Sequence, residues 1–477
     1  MAKKDYKLPS LNDARKRNKE VSEKLSFVLE EQYKDLGKDK KYFLVTHGCQ
    51  ANQRDSETIA GILDEMGYTP SEDEEKADLI IINTCAVRQG AEEKVLGEIG
   101  ALKRLKTANS DLIIGMCGCM AQEEKTVSLI MEKYRQVDII FGTHNITSLP
   151  KLLYEVNTTR TRKIEVFSKM GEIIESVPVT RFMSHKAWVN IMYGCDKFCT
   201  YCIVPYTRGK ERSRYKEDII FEVEELVKQG YKEVCLLGQN VNAYGKDLHN
   251  DYTFGNLLND VAKTGIARIR FMTSHPWDFD DTMIEAIKNN SNIMPYIHLP
   301  IQSGNTGILK KMNRRYSREE YFELYDKLKR ELPGFAFTTD IIVGFPNESD
   351  EAFEDTMSAV EHCEYDNAFT FIYSKREGTP AANMEDTIDR KTKEERLQRL
   401  NERVAFYANK NNQRFKDQIV EVLVDGLSKR NSNVYSGYTP ENKLVNFTAN
   451  NVKTGDLVKV KITEVMSFSL NGECIEE

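Results

Sequence analysis

Three closely spaced cysteines are the part of this chain with the most chemistry. Cys195, Cys199 and Cys202 lie in the run GCDKFCTYC, which spaces the thiols as C-x-x-x-C-x-x-C. Three thiols cannot all pair with one another as disulfides, but three thiolates can bind one iron–sulfur cluster. A cubane cluster has four irons, so three cysteines would leave one iron open to a small chelating molecule. The spacing therefore predicts a [4Fe–4S] site with an open iron.

A zinc site is the main alternative for the same three thiols. Zinc sites usually combine a C-x-x-C pair with a second such pair or with H-x-x-x-H. Neither partner pattern occurs in this sequence, so we favour the cluster over zinc completed by a histidine. The spacing, with Tyr201 between the last two thiols, resembles that of the radical S-adenosylmethionine (SAM) enzymes.

A second set of cysteines is dispersed along the first third of the chain. Cys49, Cys85 and Cys119 each follow a short apolar run rich in β-forming residues. Because the carboxyl ends of parallel strands meet at one edge of an α/β sheet, we expect these thiols to converge there. The alternative is that each is a small buried hydrophobe, which is the usual state of a lone cysteine. Three such positions together favour a second cluster, again with an open iron.

The other four cysteines are not assigned to a cluster. Cys117 competes with Cys119 for the third position, and we prefer Cys119 because it lies beyond the predicted strand. The remaining three are predicted to be structural: Cys235, Cys363 and Cys474. Two clusters with one open iron each indicate that one binds SAM and that the other holds a sulfur species to be transferred.

The predicted elements place these thiols at sheet edges. In the first domain, strands alternate with helices, which predicts a parallel sheet covered on both faces. Its strands are predicted at 42–46, 79–83, 112–115 and 137–140. Six later strands also alternate with helices, and six are too few for a closed eight-stranded barrel, so they predict an open, partial barrel. They are predicted at 188–193, 233–237, 268–273, 296–299, 336–343 and 368–373.

The C-terminal part changes character. A charged helix is predicted at 390–412, and a β-rich tail follows it. The tail predicts a small antiparallel barrel of the kind that binds nucleic acid. Its strands are predicted at 418–424, 433–437, 444–448, 457–462 and 467–472.

Bulk composition limits the function classes. The chain has 477 residues, of which 40% are hydrophobic and 30% charged, which is typical of a globular protein of two to four domains. The sequence contains no run of about 18 apolar residues, so we expect no membrane-spanning helix. The N-terminus does not resemble a secretory signal. Ten cysteines in such a chain favour metal binding in a reducing compartment, so we expect a cytoplasmic protein. Because the net charge is −7, any nucleic-acid contact must come from local patches.

From Lys41 onward the chain resembles the radical-SAM methylthiotransferases. The motifs with the closest resemblance are YTRG (206–209), LLGQNVNAY (236–244), TSHP (273–276), HLPIQSG (298–304) and FIYS (371–374). The resemblance implies an α/β fold with three parts: an N-terminal flavodoxin-like parallel α/β domain, a central partial (βα)6 radical-SAM barrel and a C-terminal small antiparallel β-barrel, the TRAM domain. Two features depart from the family pattern: a longer N-terminal extension, and Tyr193 where many relatives have glutamate.

The expected domain boundaries follow from the elements and the resemblance together. Residues 1–40 are expected to form a mobile extension and residues 41–155 the first domain with the auxiliary cluster. Residues 156–180 are expected to form a linker hairpin with Gly171 in its turn. The radical-SAM barrel is expected at 181–412 and the TRAM barrel at 413–477.

The resemblance also implies cofactors and an activity. The C-x-x-x-C-x-x-C cysteines match the ligands of a SAM-binding [4Fe–4S] cluster, and the dispersed cysteines match those of an auxiliary [4Fe–4S] cluster. The implied reaction adds a methylthio group to carbon 2 of N6-isopentenyladenosine, next to the tRNA anticodon. It proceeds by SAM cleavage to a 5′-deoxyadenosyl radical, sulfur insertion through the second cluster and SAM-dependent methylation.

Two alternatives stay open. Relatives apply the same chemistry to threonylcarbamoyl-adenosine in tRNA or to an aspartate on a ribosomal protein. A non-catalytic iron–sulfur RNA-binding module belongs to another class, and the intact C-x-x-x-C-x-x-C set argues against it. Expected partners are the tRNA anticodon stem-loop, an electron donor such as a flavodoxin or ferredoxin, and a supplier of sulfur or clusters. We expect a monomer that works away from membranes.

Other candidate site residues surround the expected clusters. No catalytic residue is predicted beyond the cluster ligands. The candidates for contact with SAM or substrate are Tyr201, between two ligands, and the strand-end residues Gln239, Asn240 and Ser303. The candidates for contact with RNA phosphates are Arg208, Lys210, Arg212 and Arg214. A second basic group comprises Lys310, Lys311, Arg314 and Arg315. A solvated surface is the alternative for both groups.

Overall fold

The computed structural model describes residues 22–86, 89–166, 172–248, 251–429 and 431–475. The chain folds into two units. The first contains the chain up to Phe182 together with two later segments, Met192–Phe198 and Cys202–Arg214. The second contains Met183–Ile191, Cys199–Tyr201 and the chain from Tyr215 onward.

The first unit is built on a parallel sheet, as predicted, but the sheet has six strands where four were predicted. Each strand pairs in parallel with its neighbour, in the spatial order Thr69–Pro70, Lys41–Thr46, Leu79–Thr84, Ile113–Gly118, Ile139–Phe141 and Lys163–Glu165. Every residue of Leu79–Thr84 and Ile113–Gly118 is buried. Strands that are buried on both faces appear as continuous apolar runs, which explains why these two were recognisable in the sequence.

Helices cover both faces of this sheet. They are Gln50–Glu65, Gln89–Ala101, Lys103–Ala108, Glu124–Lys133, Leu149–Thr159 and the short Val204–Thr207. Alternate residues of one strand enter different apolar clusters, with Leu79 and Ile81 in one and Ile80 and Ile82 in the other. This alternation is the two-residue period of a β-strand. It gives the sheet a hydrophobic core on each side.

Two predictions about the flanking segments are wrong. Residues 1–21 of the predicted extension lie outside the described residues, but Lys24–Ser26 forms a strand that pairs in parallel with Ile173–Glu175. The predicted linker hairpin does not form, because its two strands have different partners. Lys163–Glu165 extends the main sheet beside Ile139–Phe141, and the predicted turn residue Gly171 lies outside the described residues. The described segment of the predicted extension is ordered, in part because two of its side chains, Phe27 and Leu29, pack against the first unit's core.

The second unit contains six parallel strands that alternate with helices, as predicted for the partial barrel. They form two three-stranded sheets, ordered Arg268–Phe271, Glu233–Leu237, Lys186–Asn190 and Tyr296–His298, Ala336–Val343, Asn367–Ile372. A parallel bridge pairs Ile269, in an edge strand of the first sheet, with Ile293, which precedes the strand Tyr296–His298. The helices are Lys216–Lys228, Phe254–Ala262, Asp281–Asn289, Thr306–Lys311, Arg318–Glu331 and Asp350–Cys363.

A long helix and a closed barrel complete the second unit. The helix Arg390–Asn412 leads into five strands in the order Ile419–Leu427, Tyr435–Tyr438, Leu444–Thr448, Leu470–Cys474 and Leu457–Val465. Four of the five pairings are antiparallel, and the pairing of Leu444–Thr448 with Leu470–Cys474 is parallel. Within the described ranges, no helix has the length and apolar character needed to cross a membrane.

Candidate metal centres

The dispersed cysteines all follow strands that are neighbours in the first unit's sheet. Cys49 is the N-cap of the helix Gln50–Glu65, just after the strand Lys41–Thr46. Cys85 follows the next strand, and Cys119 begins a 3₁₀ turn directly after the third. Because these strands are parallel, the three thiols lie at the same edge of the sheet.

Asn52 links the three cysteine loops. Its amide nitrogen donates to the carbonyl oxygens of His47, at 3.0 Å, and Thr84, at 2.8 Å. Its Oδ1 lies 3.7 Å from the Sγ atom of Cys49 and 4.0 Å from that of Cys119. Sequence reasoning missed Asn52, and the available signal was its place in the first turn of the helix that Cys49 caps.

Two glycines let these loops approach one another. Gly48 has φ +120°, and a Cβ atom there would lie 2.5 Å from Cβ and 2.9 Å from Sγ of Cys85. Gly118 has φ +91°, and its Cβ would overlap the carbonyl oxygen of Thr84. Both positions therefore require glycine for conformation and for space.

A buried arginine lies among the thiols. Arg208 is a member of the first unit, and its Nη2 donates to Oδ1 of Asn52 at 2.9 Å and to Oδ2 of Asp55 at 2.6 Å. A hydrogen bond from Cys85 and the positive charge of Arg208 lower the pKa of Cys49 well below that of an ordinary thiol. Burial raises the pKa of Cys119, and the charge of Arg208 opposes that effect.

The prediction that Arg208, Lys210, Arg212 and Arg214 bind RNA phosphates is not supported. All four side chains are buried. Arg212 donates to the carbonyl oxygen of Arg208, and Arg214 makes a two-bond ion pair with Glu175, both bonds being 2.7 Å long. A guanidinium that is buried and paired with a carboxylate, as in Arg208 and Arg214, is not available to a phosphate.

The donor set of the dispersed cysteines fits an iron–sulfur cluster. Three thiols at one sheet edge provide the soft ligands that such clusters use, and the buried guanidinium offsets their negative charge when they are ionised. Among the described residues, no three His, Cys, Asp or Glu side chains are close enough to share a single metal ion. Thiolate is the usual ligand of iron–sulfur clusters, and all three donors at this edge are cysteine thiols.

The second cysteine set lies in the loop that follows the first barrel strand. Cys195 and Cys202 belong to the first unit and Cys199 to the second. In the first unit, the backbone N–H of Cys195 donates to the carbonyl oxygen of Gly209 at 3.1 Å. In the second unit, Thr200 donates from its backbone to Met312, at 3.0 Å, and from its hydroxyl to Lys311, at 2.9 Å. Tyr201 packs against an apolar cluster that includes Met312.

Arg314 contacts a thiol of this set. The predicted basic group placed it on the surface, but Arg314 is buried and donates to the carbonyl oxygen of Pro300 at 2.8 Å. It also donates to the Tyr316 hydroxyl at 2.9 Å and to Sγ of Cys199 at 3.5 Å. Each cysteine set is thus accompanied by a buried arginine, Arg208 in the first unit and Arg314 in the second.

The strand-end candidates have different environments. Asn240 is buried and donates to Asp278 at 2.8 Å, whereas Gln239 is only partly buried. The Ser303 hydroxyl is fully buried, lies 3.4 Å from the Thr356 hydroxyl and accepts a hydrogen bond from the backbone of Asn305 at 3.3 Å. The Ser303 hydroxyl thus contacts its own loop and a neighbouring helix. Contact with SAM or substrate remains a prediction for Tyr201, Gln239, Asn240 and Ser303.

Three family models match the chain in succession. Residues 41–142 match the "Uncharacterized protein family UPF0004", residues 189–360 the "Radical SAM superfamily" and residues 413–475 the "TRAM domain". The fold is similar to that of the radical S-adenosylmethionine methyltransferase TsrM from Kitasatospora setae, with a TM-score of 0.53 at 14% identity over 72% of this chain and 75% of that chain. At that identity the likeness concerns the fold alone.

Curated relatives cover nearly the whole chain. One, from Bacillus cytotoxicus, is 56% identical over 474 residues, which are 99% of this chain and 93% of the relative. Another, from Staphylococcus saprophyticus, is 54% identical over 472 residues, which are 98% of this chain and 92% of the relative. Both are named tRNA-2-methylthio-N(6)-dimethylallyladenosine synthase. Since more than half of the residues are shared over almost the entire length, the chain belongs to the family of tRNA-2-methylthio-N(6)-dimethylallyladenosine synthases, which is a radical SAM family.

Proposed function

We propose that this chain adds a methylthio group to carbon 2 of N6-dimethylallyladenosine, also called N6-isopentenyladenosine, in tRNA. The reaction is the one for which its relatives are named, and the identity of 56% extends over 99% of the chain. The observation that supports it most strongly is the presence of two separate three-cysteine sets in one chain, because sulfur transfer requires both a SAM site and a sulfur-holding site.

The two cysteine sets would have different roles. Cys195, Cys199 and Cys202 would hold the [4Fe–4S] cluster that binds SAM, and the dispersed set would hold the auxiliary [4Fe–4S] cluster. The clusters and SAM, when bound, supply the one-electron chemistry, the sulfur and the methyl group that a C–H bond without useful acidity requires.

Buried side chains around both cysteine sets provide hydrogen bonds and positive charge to the thiols. Arg314 donates a hydrogen bond to Cys199, and Arg208 places its charge beside Cys49 and Cys119. At Cys49 and Cys119, the charge of Arg208 favours the thiolate over the thiol, and the thiolate is the form that binds iron. Cys85 and Cys119 are buried, which limits the access of water and oxidants to the auxiliary site.

Several partners follow from this proposal. The substrate is tRNA, presented through its anticodon stem-loop, whose bases leave their stack at low cost. The chemistry also needs an electron donor such as a flavodoxin or ferredoxin and a supplier of sulfur or clusters. We expect the protein to act as a monomer in the cytoplasm, where its tRNA substrate is found.

Product analysis tests the proposed function. The protein would be reconstituted anaerobically with iron and sulfide and incubated with SAM, a reductant and isopentenylated tRNA, and the nucleosides would be identified by mass spectrometry. We expect the methylthio nucleoside from the wild type and its absence with Cys49→Ala. A product formed instead on threonylcarbamoyl-adenosine tRNA or on a ribosomal protein aspartate would replace the proposed substrate. Failure to form deoxyadenosine in protein that holds its clusters would favour a non-catalytic RNA-binding module.

A further inference from the structure

An exposed basic surface lies at the carboxyl ends of the barrel strands in the second unit. The loop after Arg268–Phe271 contains Trp277, and the helix after Tyr296–His298 ends at Lys311. Four exposed side chains, from these two segments and from the loop after the helix, define what we call the basic rim: Trp277, Lys310, Lys311 and Arg315. The active face of such barrels is formed by these strand ends.

The cations of the basic rim are not neutralised by carboxylates. In the part of the chain that the structure describes, no carboxylate oxygen lies within 4.0 Å of the side-chain nitrogens of Lys310, Lys311 or Arg315. Some exposed cations elsewhere in the second unit do have carboxylate partners: on the helix Arg390–Asn412 these include Arg399, Arg403 and Lys410. In a chain with net charge −7, unpaired positive charges concentrated within a few residues indicate an anionic partner.

An aromatic ring stands among these cations. The Trp277 side chain is 46% exposed, and the Arg315 guanidinium lies over its ring, 4.9 Å from the centroid. Single-stranded bases stack on aromatic side chains, including indole rings, and on guanidinium planes. A carboxylate-rich protein surface would use the cations but would not need the exposed indole, so the combination favours RNA over an acidic protein.

Residues next to the basic rim contact Cys199 directly or through neighbouring side chains. The ring nitrogen of His275 accepts a hydrogen bond from the backbone of Trp277, and the His275 ring packs edge-on against Tyr316 with a centroid distance of 5.9 Å. Arg314, directly before Arg315, is buried and contacts the Cys199 thiol. Arg315 has φ 51°, in the left-handed region that costs a non-glycine residue free energy. The rim is therefore held beside one predicted cluster ligand.

We propose that the basic rim binds the single-stranded nucleotides that flank the target base. Lys310, Lys311 and Arg315 contact the phosphates, and Trp277 together with Arg315 stacks on a base. This proposal rests on the proposed function, because it takes tRNA as the substrate. It adds the surface that positions the anticodon loop, and it assigns to this surface the RNA contact that the buried Arg208 group does not make.

Salt-dependent binding tests the phosphate contacts. Binding of a fluorescent anticodon stem-loop RNA would be measured under anaerobic conditions at several salt concentrations for the wild type and for Lys310→Ala/Lys311→Ala/Arg315→Ala. Each lost contact to a single strand lowers the slope of log K against log salt by about 0.7, so the triple variant is expected to lose roughly 2 from the slope. The control variant Arg399→Ala/Arg403→Ala/Lys410→Ala removes the same charge from paired positions and is expected to keep the wild-type slope.

Tryptophan substitution tests the stacking contact. Trp277→Ala is expected to weaken binding of the same RNA by roughly 5- to 150-fold, the range that corresponds to one stacked base. Phe406→Ala is the matched control, because that ring is also on the surface, at 61% exposure, but lies on the helix Arg390–Asn412. Quenching of tryptophan fluorescence by RNA is expected in the wild type and in Trp188→Phe, and its loss is expected in Trp277→Phe.

The outcomes separate this proposal from the proposed function. The rim variants could bind RNA with the affinity and salt slope of the wild type, while the wild type still binds and modifies tRNA. That result would overturn the basic rim and leave the proposed function in place. Absence of RNA binding by the wild type would contradict both. Circular dichroism and thermal unfolding of each variant would show whether a loss of binding reflects a loss of fold.

Discussion

At the residue scale, the sequence identifies the thiols better than the side chains around them. Their types and spacing were sufficient to predict two three-cysteine sets. The partners Asn52, Arg208 and Arg314 were missed or given a surface role, because each contact joins residues that are far apart in the chain. Arg208, for example, is 156 positions from Asn52. Alternating basic residues look the same in sequence whether they face solvent or buried carboxylates.

The choice of Cys119 over Cys117 gives a prediction at this scale. Cys119 lies near Asn52 and Arg208 at the sheet edge, whereas Cys117 is a buried residue of the strand, and burial raises the pKa of its thiol. After anaerobic reconstitution, Cys119→Ala is expected to retain about half of the wild-type iron, since one of two four-iron clusters is lost.

Cys117→Ala is the matched control and is expected to keep the full iron content. Iron and sulfide analysis of both variants measures this directly. A half-loss of iron with Cys117→Ala and full content with Cys119→Ala would reverse the assignment of the third ligand.

At the element scale, the parallel strands were predictable because they are buried continuous apolar runs. Loop connections were harder to predict. The linker hairpin was wrong, because Lys163–Glu165 pairs with the preceding strand Ile139–Phe141 and Ile173–Glu175 pairs with the distant Lys24–Ser26. The positions just after the strands follow from topology alone, which is why the sheet edge with its cysteines was predictable. The glycines that allow the cysteine loops to approach one another could be recognised only from the distances in the structure.

The close approach at Gly48 gives a prediction for this edge. Gly48→Ala would introduce a Cβ 2.5 Å from Cβ of Cys85, at a φ of +120° that alanine strongly disfavours. We expect this variant to lose the auxiliary cluster, seen as about half of the wild-type iron, while the SAM-binding cluster remains.

Gly97→Ala provides the control within the same unit. Gly97 lies inside the helix Gln89–Ala101, and nothing lies within 4 Å of a Cβ placed there. Alanine in a helix interior is expected to stabilise the protein by about 0.5–1 kcal/mol relative to glycine and to leave the iron content unchanged. Full iron in Gly48→Ala would contradict this prediction, because it would show that the edge tolerates the added Cβ.

At the scale of the whole molecule, the C-terminal barrel is held to the partial barrel within the second unit. Arg270 forms a buried ion pair with Glu233, 2.9 Å long, and donates to the carbonyl oxygens of Thr439 and Pro440, both at 2.8 Å. Arg268 donates to the carbonyl oxygen of Tyr438 at 3.0 Å. Side chains from one strand of the partial barrel thus donate hydrogen bonds to backbone carbonyl oxygens of the closed barrel. These bonds fix the closed barrel against the partial barrel.

Arg270→Met tests this attachment. The change leaves the Glu233 carboxylate buried without its partner, so we expect a loss of roughly 3–5 kcal/mol in the free energy of unfolding. It also removes two hydrogen bonds to the closed barrel, so faster hydrogen exchange is expected there. The double variant Arg270→Met/Glu233→Leu is expected to recover stability but not slow exchange in the closed barrel. Recovery of both would mean that Arg270 acts through the ion pair alone.

The central claim is that one chain holds two cysteine sets with different tasks. The most direct measurement is the yield of deoxyadenosine and of methylthio nucleoside from reconstituted wild type, Cys195→Ala and Cys119→Ala, each with SAM, a reductant and isopentenylated tRNA. The wild type is expected to form both products, Cys195→Ala neither, and Cys119→Ala deoxyadenosine alone. Methylthio nucleoside from Cys119→Ala, or from Cys195→Ala, would contradict the division of tasks between the two sets.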